Sequence, residues 1–162
     1  MLTLLTLAGF AFAAPEMIPE KQFDLLGRTA PTFEAKTFEG AEFSLEALRG
    51  KTVVLSFWAS WCTPCRRELP ALSALQKQRD DVVIYAVNVD RQRPPAEKFL
   101  RQVKFDLPVV WDNQSLAMGQ YNVLSMPTMF VVDKQGTIKF SKTGFSTEKG
   151  LTELVAALDG LR

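Results

Sequence analysis

Two near-continuous apolar runs, Thr52 to Trp58 and Val82 to Val89, constrain the fold of this chain more than any other feature. Each has strand length, and neither alternates cleanly with polar residues. Each therefore needs cover on both faces, as a buried strand of a parallel sheet has. Between them Cys65, Leu69, Leu72 and Leu75 recur at helical spacing, which predicts a helix from Cys65 to Gln76 with that stripe buried. Strand, helix, strand in this order is a βαβ unit. The 162 residues suit one domain with a sizeable core, and 47% apolar with 23% charged residues is ordinary globular composition.

The seam between the first run and the helix, Phe57 to Pro70, reads FWASWCTPCRRELP and holds both cysteines of the chain, Cys62 and Cys65. Two intervening residues let the thiols close a disulfide or open to a dithiol with little backbone motion. Cys62 stands where the strand ends and the helix begins, so unpaired N–H groups and the helix dipole favour its thiolate. Pro64 suits a first helical turn, because its fixed φ is helical and its missing N–H has no partner there. Cys62 is thus the attacking thiol, and Cys65, one turn in and less exposed, the resolving thiol. Arg66 and Arg67 add positive charge. Glu68 lies three residues after Cys65 on the same helical face, which leaves two readings open: a proton carrier for Cys65, or a solvent-facing carboxylate. Zinc is a poor fit, since a structural site wants four Cys or His ligands and the chain has two cysteines and no histidine. A static disulfide across so short a loop removes little unfolded-chain entropy. The pair reads as redox-active.

The strand followed by WCTPC resembles the thioredoxin superfamily. The pattern W-C-x-P-C-x-x-E-x-P, matched by Trp61, Cys62, Pro64, Cys65, Glu68 and Pro70, resembles its TlpA/ResA-like, AhpC/TSA-related branch of exported bacterial thiol–disulfide oxidoreductases. Ser125-Met126-Pro127-Thr128, before an apolar strand, is a second match. The resemblance runs from about Gly27 to Leu161. It implies an α/β, thioredoxin-like three-layer fold with a mixed central sheet, an N-terminal β-hairpin extension and a central helix–strand insertion. It also implies that Pro127 is cis and packs against the disulfide. Substrates would be protein thiols and disulfides, and a membrane or soluble thiol protein would supply electrons, with no cofactor and no metal. The expected direction is reduction of protein disulfides in the periplasm, including those of apocytochrome c or of copper-site thiols. One departure stands out: Ser56 occupies the position where thioredoxin carries a buried aspartate, and in this branch the glutamate matching Glu68 takes over proton handling.

The remaining segments are expected as follows. Residues 1–13 form an apolar leader ending in Ala11-Phe12-Ala13, a small-x-small cleavage pattern, or an uncleaved anchor. Residues 14–26 are a tether and 27–162 the thioredoxin domain. A hairpin turns at Glu39-Gly40, and Ser44 to Arg49 makes a helical turn closed by Gly50. Asp90 to Pro95 is a polar loop. Pro94 and Pro95 open a helix with Ala96, Phe99, Leu100 and Val103 on its apolar face, followed by a strand from Leu107 to Trp111 and a short helix from Leu116 to Tyr121. Met129 to Val132 and Thr137 to Lys142 form a hairpin around Asp133 to Gly136. Ser146 or Thr147 caps a last helix with Leu151, Leu154, Val155 and Leu158 buried.

Trp61, Thr63 and Pro64 rim Cys62, and the Met126 backbone beside Pro127 is open to an extended substrate segment; Trp58 and Trp111 are core. A net charge of +1 with no basic stripe argues against nucleic acid. Lack of histidine removes Ser-His and Cys-His hydrolase chemistry. Two rivals are a thiol peroxidase, disfavoured by Ala59 and Leu55 where it wants Ser or Thr and Pro, and a Cu(I)-carrying or redox-silent binding module built on the two sulfurs.

Overall fold

Every residue of β3 (Thr52–Trp58) is buried, as the unbroken apolar run predicts. The computed structural model describes residues 25–146 and 149–162. The expected leader lies outside these residues, as does the tether up to residue 24; Leu25, placed in that tether, packs against the core. β4 (Val82–Asn88) pairs parallel with β3, with Trp58 opposite Asn88. α1 (Cys65–Gln78) connects them and completes the βαβ unit.

Among the described residues the sheet has seven strands. β5 (Val109–Trp111) lies parallel to β4, and β6 (Thr128–Val132) runs antiparallel along the other side of β3. β7 (Ile138–Thr143) pairs antiparallel with β6. β1 (Glu34–Thr37) and β2 (Glu42–Ser44) form the expected N-terminal hairpin. β1 pairs antiparallel with β5, through Lys36 opposite Trp111 and Thr37 opposite Val110. The hairpin thus covers the edge that the inserted strand would otherwise expose. The order is β2-β1-β5-β4-β3-β6-β7, a mixed α/β sheet of the thioredoxin type.

The period of two along β3 sorts its side chains between two cores. Val54 and Trp58 join the core under α1, α2 (Arg93–Gln102) and α4 (Gly150–Asp159). Val53, Leu55 and Phe57 join the opposite core, with α3 (Leu116–Gln120), Tyr121 and the hairpin residues Phe33 and Phe43. Ser56 shares the α1 face with Val54 and Trp58, which decides what it meets.

Several boundaries differ by a residue or more, and two of them have a visible cause. β5 starts at Val109, because Pro108 has no N–H to add to the ladder; its carbonyl still accepts the Ala86 N–H (3.0 Å) as the first rung. The last helix starts at Gly150 with Lys149 at its cap and no side-chain cap bond, so Ser146 is not the cap; Thr147 lies outside the described residues. The short α3, weakened by Gly119, is held by Asp112, whose carboxylate accepts the N–H groups of Leu116, Ala117 and Met118 at 2.8, 3.2 and 2.8 Å.

Candidate active site

β3 and β4 end side by side, and the chain leaving β3 turns through Ala59 to Pro64 before entering α1. This turn is fastened to the end of β4. The Ser60 amide and hydroxyl both donate to the Asp90 carboxylate, at 2.8 and 2.9 Å. Asn88 Nδ2 donates to the same carboxylate at 2.8 Å, and the Asp90 N–H donates back to Asn88 Oδ1 at 3.2 Å. The Trp111 indole N–H donates to the Asp90 carbonyl at 2.7 Å. A further bond from the Cys62 N–H to the Ala59 carbonyl (3.0 Å) closes the turn.

Cys62 and Cys65 are joined as a disulfide with Cα atoms 5.4 Å apart. The Cys65 N–H donates to Cys62 Sγ at 3.2 Å. A sulfur in that position takes one of the N–H groups a helix leaves unpaired at its start, the arrangement that stabilises a Cys62 thiolate once the bond opens. Cys65 is the first residue of α1 rather than one turn inside it, because Pro64, at φ −63°, is only the cap. Both sulfur residues are buried, Cys65 completely. Arg66 and Arg67 are exposed; Arg66 donates to Gln102 Oε1 at 3.0 Å and lies over the Phe99 ring.

Glu68 is 0% exposed, which rules out the solvent-facing reading. One oxygen accepts the Ser56 hydroxyl at 3.1 Å, and the other has no partner among the described residues. Burial pushes the carboxyl up to about 8, against a smaller opposing effect of the Ser56 hydrogen bond. The order of these effects is physical. A single hydrogen bond contributes about 1 kcal/mol net, whereas burying a carboxylate without a countercharge costs several. Ser56 and Glu68 thus form one unit. The strand position that holds a serine faces the helix position that holds the acid.

The second motif reaches the same place from β6. Phe57 is opposite Thr128, so Met126 and Pro127 lie beside the carboxyl end of β3, at the cysteine turn. The Met126–Pro127 bond is cis, as the resemblance implies. The Pro127 carbonyl is held by the Gly144 N–H (2.8 Å) and the Ser125 carbonyl by the Thr128 hydroxyl (2.8 Å). No hydrogen bond from the described residues engages the Met126 backbone. Trp61 is 70% exposed, Thr63 is exposed and Pro64 half-buried, flanking the buried Cys62 along the chain. Trp58 is core, as expected; Trp111 is half-buried, with its ring against Phe38.

Sequence reasoning missed two residues of this site. Asn88 and Asp90 were read as strand end and loop, yet they fasten the turn; two polar residues at the carboxyl end of a buried strand were the available signal.

Comparison with known proteins agrees with this geometry. Residues 26–141 match the model of the AhpC/TSA family. The chain is 37% identical over 155 residues to the thiol–disulfide oxidoreductase ResA of Geobacillus thermodenitrificans, covering 94% of this chain and 88% of that one. It is 38% identical over 135 residues to the thioredoxin-like protein YneN of Bacillus subtilis, covering 78% and 76%. Among solved structures, a chain assigned as the thiol:disulfide interchange protein DsbE of Chlorobium tepidum superposes with a TM-score of 0.75 at 33% identity, covering 82% of this chain and 97% of that one. A secreted Mycobacterium tuberculosis disulfide oxidoreductase homologous to DsbE superposes at 0.69 with 25% identity, covering 80% and 96%.

Proposed function

The chain belongs to the AhpC/TSA family, in its ResA-like thioredoxin branch, and is a thiol–disulfide oxidoreductase; from that premise we propose that it reduces protein disulfides outside the cytoplasm through Cys62 and Cys65, with Glu68 as the proton carrier. The observation that carries this reading is the Cys62–Cys65 pair at the start of α1, with an uncharged-leaning carboxyl buried one turn below it.

The Cys62 thiolate attacks one sulfur of the substrate disulfide, and the other substrate sulfur leaves as a thiolate that takes a proton from water. Cys65 then gives its proton to the Glu68 carboxylate and attacks Cys62 Sγ. The Cys62–Cys65 disulfide forms and the second substrate sulfur leaves as a thiolate that takes a proton from water, so the substrate gains two electrons and the pair loses two. A donor dithiol reverses the cycle: as Cys65 leaves, it takes the proton that Glu68 holds. With the carboxyl at about 8, about one-tenth of Glu68 is ionised at pH 7, so both forms are populated. An ionised Glu68 also disfavours a neighbouring thiolate, which keeps Cys65 protonated until it is used. Trp61, Thr63, Pro64, Met126 and Pro127 form the surface that takes the substrate segment, with the unbonded Met126 backbone pairing to an extended chain.

Export is supported by the apolar leader pattern in residues 1–13 and by the secreted relative; no helix among the described residues is long and apolar enough to cross a membrane. Service to apocytochrome c thiols fits the resemblance to the ResA branch. Equilibration of the Cys62–Cys65 couple against dithiothreitol or glutathione buffers tests the direction. A potential near or below thioredoxin's, about −270 mV, is the expected result, and one near about −120 mV would make the protein a disulfide donor instead.

A further inference from the structure

The net charge of +1 hides an uneven distribution. Residues 59–67 and 90–102 hold six basic side chains (Arg66, Arg67, Arg91, Arg93, Lys98 and Arg101) and two acidic ones (Asp90 and Glu97), a local net of +4. No stripe is visible in the sequence because these cations come from separate segments: Arg66 and Arg67 from α1, Arg91 from the β4–α2 connection, and Arg93, Lys98 and Arg101 from α2. Both carboxylates are already engaged, Asp90 by Ser60 and Asn88, and Glu97 by Arg93 at 3.0 Å. Arg93 is spent as well, donating to the Phe38 carbonyl at 2.6 Å. The side chains of Arg67, Arg91, Lys98 and Arg101 are exposed and make no hydrogen bond or ion pair with another described residue, and Arg66 meets only the neutral Gln102.

Two of these cations, Arg66 and Lys98, line a cleft of about 290 Å³ together with Ser60, Pro95, Phe99 and Gln102. Ser60 belongs to the turn that carries Cys62 two residues on, so the cleft adjoins the cysteine turn. The strand order explains its use. β3 lies between β6 and β4, so the cysteine turn lies between the cis-proline loop and the β4–α2 connection. A polypeptide that pairs with Met126 and crosses Cys62 next passes the cleft.

We infer that this cleft receives a carboxylate side chain of the partner polypeptide, close to its reacting cysteine, and so selects acidic partners. The inference rests on the thiol–disulfide exchange reading above. Neighbouring strands stand about 4.8 Å apart and an extended chain advances about 3.3 Å per residue, which puts the acidic residue within about three positions of the cysteine. Arg66 and Lys98 supply the countercharge, and the Phe99 ring gives the cleft an apolar wall that strengthens the attraction over its value in open water.

The test uses the reduced full chain and two disulfide-linked peptides that differ only in carrying Glu or Lys two residues from the cysteine. Single-turnover reduction should favour the Glu peptide by about tenfold at an ionic strength of about 0.01 M, where the Debye length is about 30 Å. The preference should nearly vanish at about 1 M, where it is about 3 Å. Lys98→Glu should abolish or invert the ratio, and Lys98→Gln should reduce it partway. Equal rates for the two peptides in the unmodified chain overturn the inference and leave the exchange reading standing. Reduction of neither peptide removes the exchange reading, and the inference with it. Salt-sensitive binding to phosphatidylglycerol vesicles that Lys98→Glu abolishes, with no peptide preference, assigns the patch to lipid and overturns the inference.

Discussion

Glu68→Gln isolates the buried carboxyl, since glutamine keeps the shape and can still accept the Ser56 hydroxyl. Burial carries the Glu68 pKa from 4.5 to about 8. At 1.36 kcal/mol per pKa unit, this corresponds to about 5 kcal/mol of folding stability that depends on pH, a ceiling because a deep site relaxes when charged. The folded state holds this proton more tightly than the unfolded chain does. The contribution is therefore intact below about pH 4.5, declines as the pH rises towards about 8, and stays lost above it. The variant has no such titration. The stability of Glu68→Gln minus that of the parent should thus climb by several kcal/mol between pH 5 and pH 9. Urea unfolding of both proteins with the disulfide oxidised, at several pH values across that window, measures it. Parallel curves would refute the argument, because they would mean that the group ionises equally easily folded and unfolded. The variant should also slow the Cys65 step on the order of 100-fold at neutral pH, the lower range for a lost general acid or base.

Asp90→Asn keeps the volume but turns an N–H towards donors that now have an acceptor. It should cost about 2 kcal/mol of stability in denaturant titrations, and it should lower the rate of disulfide exchange by loosening the turn that holds Cys62. Trp61→Ala should leave stability within about 0.5 kcal/mol, since the ring is 70% exposed. It should raise KM for protein disulfides by more than it changes the reaction with a small disulfide, a contrast that steady-state kinetics with both substrates would reveal.

The βαβ centre was legible because its signals are local. An unbroken apolar run means a strand covered on both faces, and Leu69, Leu72 and Leu75 at helical spacing mean a buried helical stripe. The redox pair was legible for the same reason, since two cysteines at the start of a helix define their own chemistry. The role of Glu68 stayed open between a proton carrier and a surface charge, because a helical period alone does not say which face is covered. Asp90 went unnoticed because its partners Ser60 and Trp111 are distant in sequence, and Asn88 because it acts through Asp90. The basic rim was invisible because no single stretch contains it.

The sequence by itself determined the strand–helix–strand frame, the cysteine pair at its seam and the proline motif that faces it, since each depends on side-chain periodicity or on spacings of a few residues. Tertiary structure alone decided the chemistry around them. It placed Ser56 on the α1 face and so opposite Glu68, and it removed that carboxyl from water. It also set the Asp90 carboxylate under the cysteine turn and brought Arg66 of α1 and Lys98 of α2 to one cleft with Ser60 of that turn. Desolvation and electrostatic fields depend on what surrounds a group in space, and neighbours in space are set by the crossing of β3, α1 and β4 rather than by position along the chain.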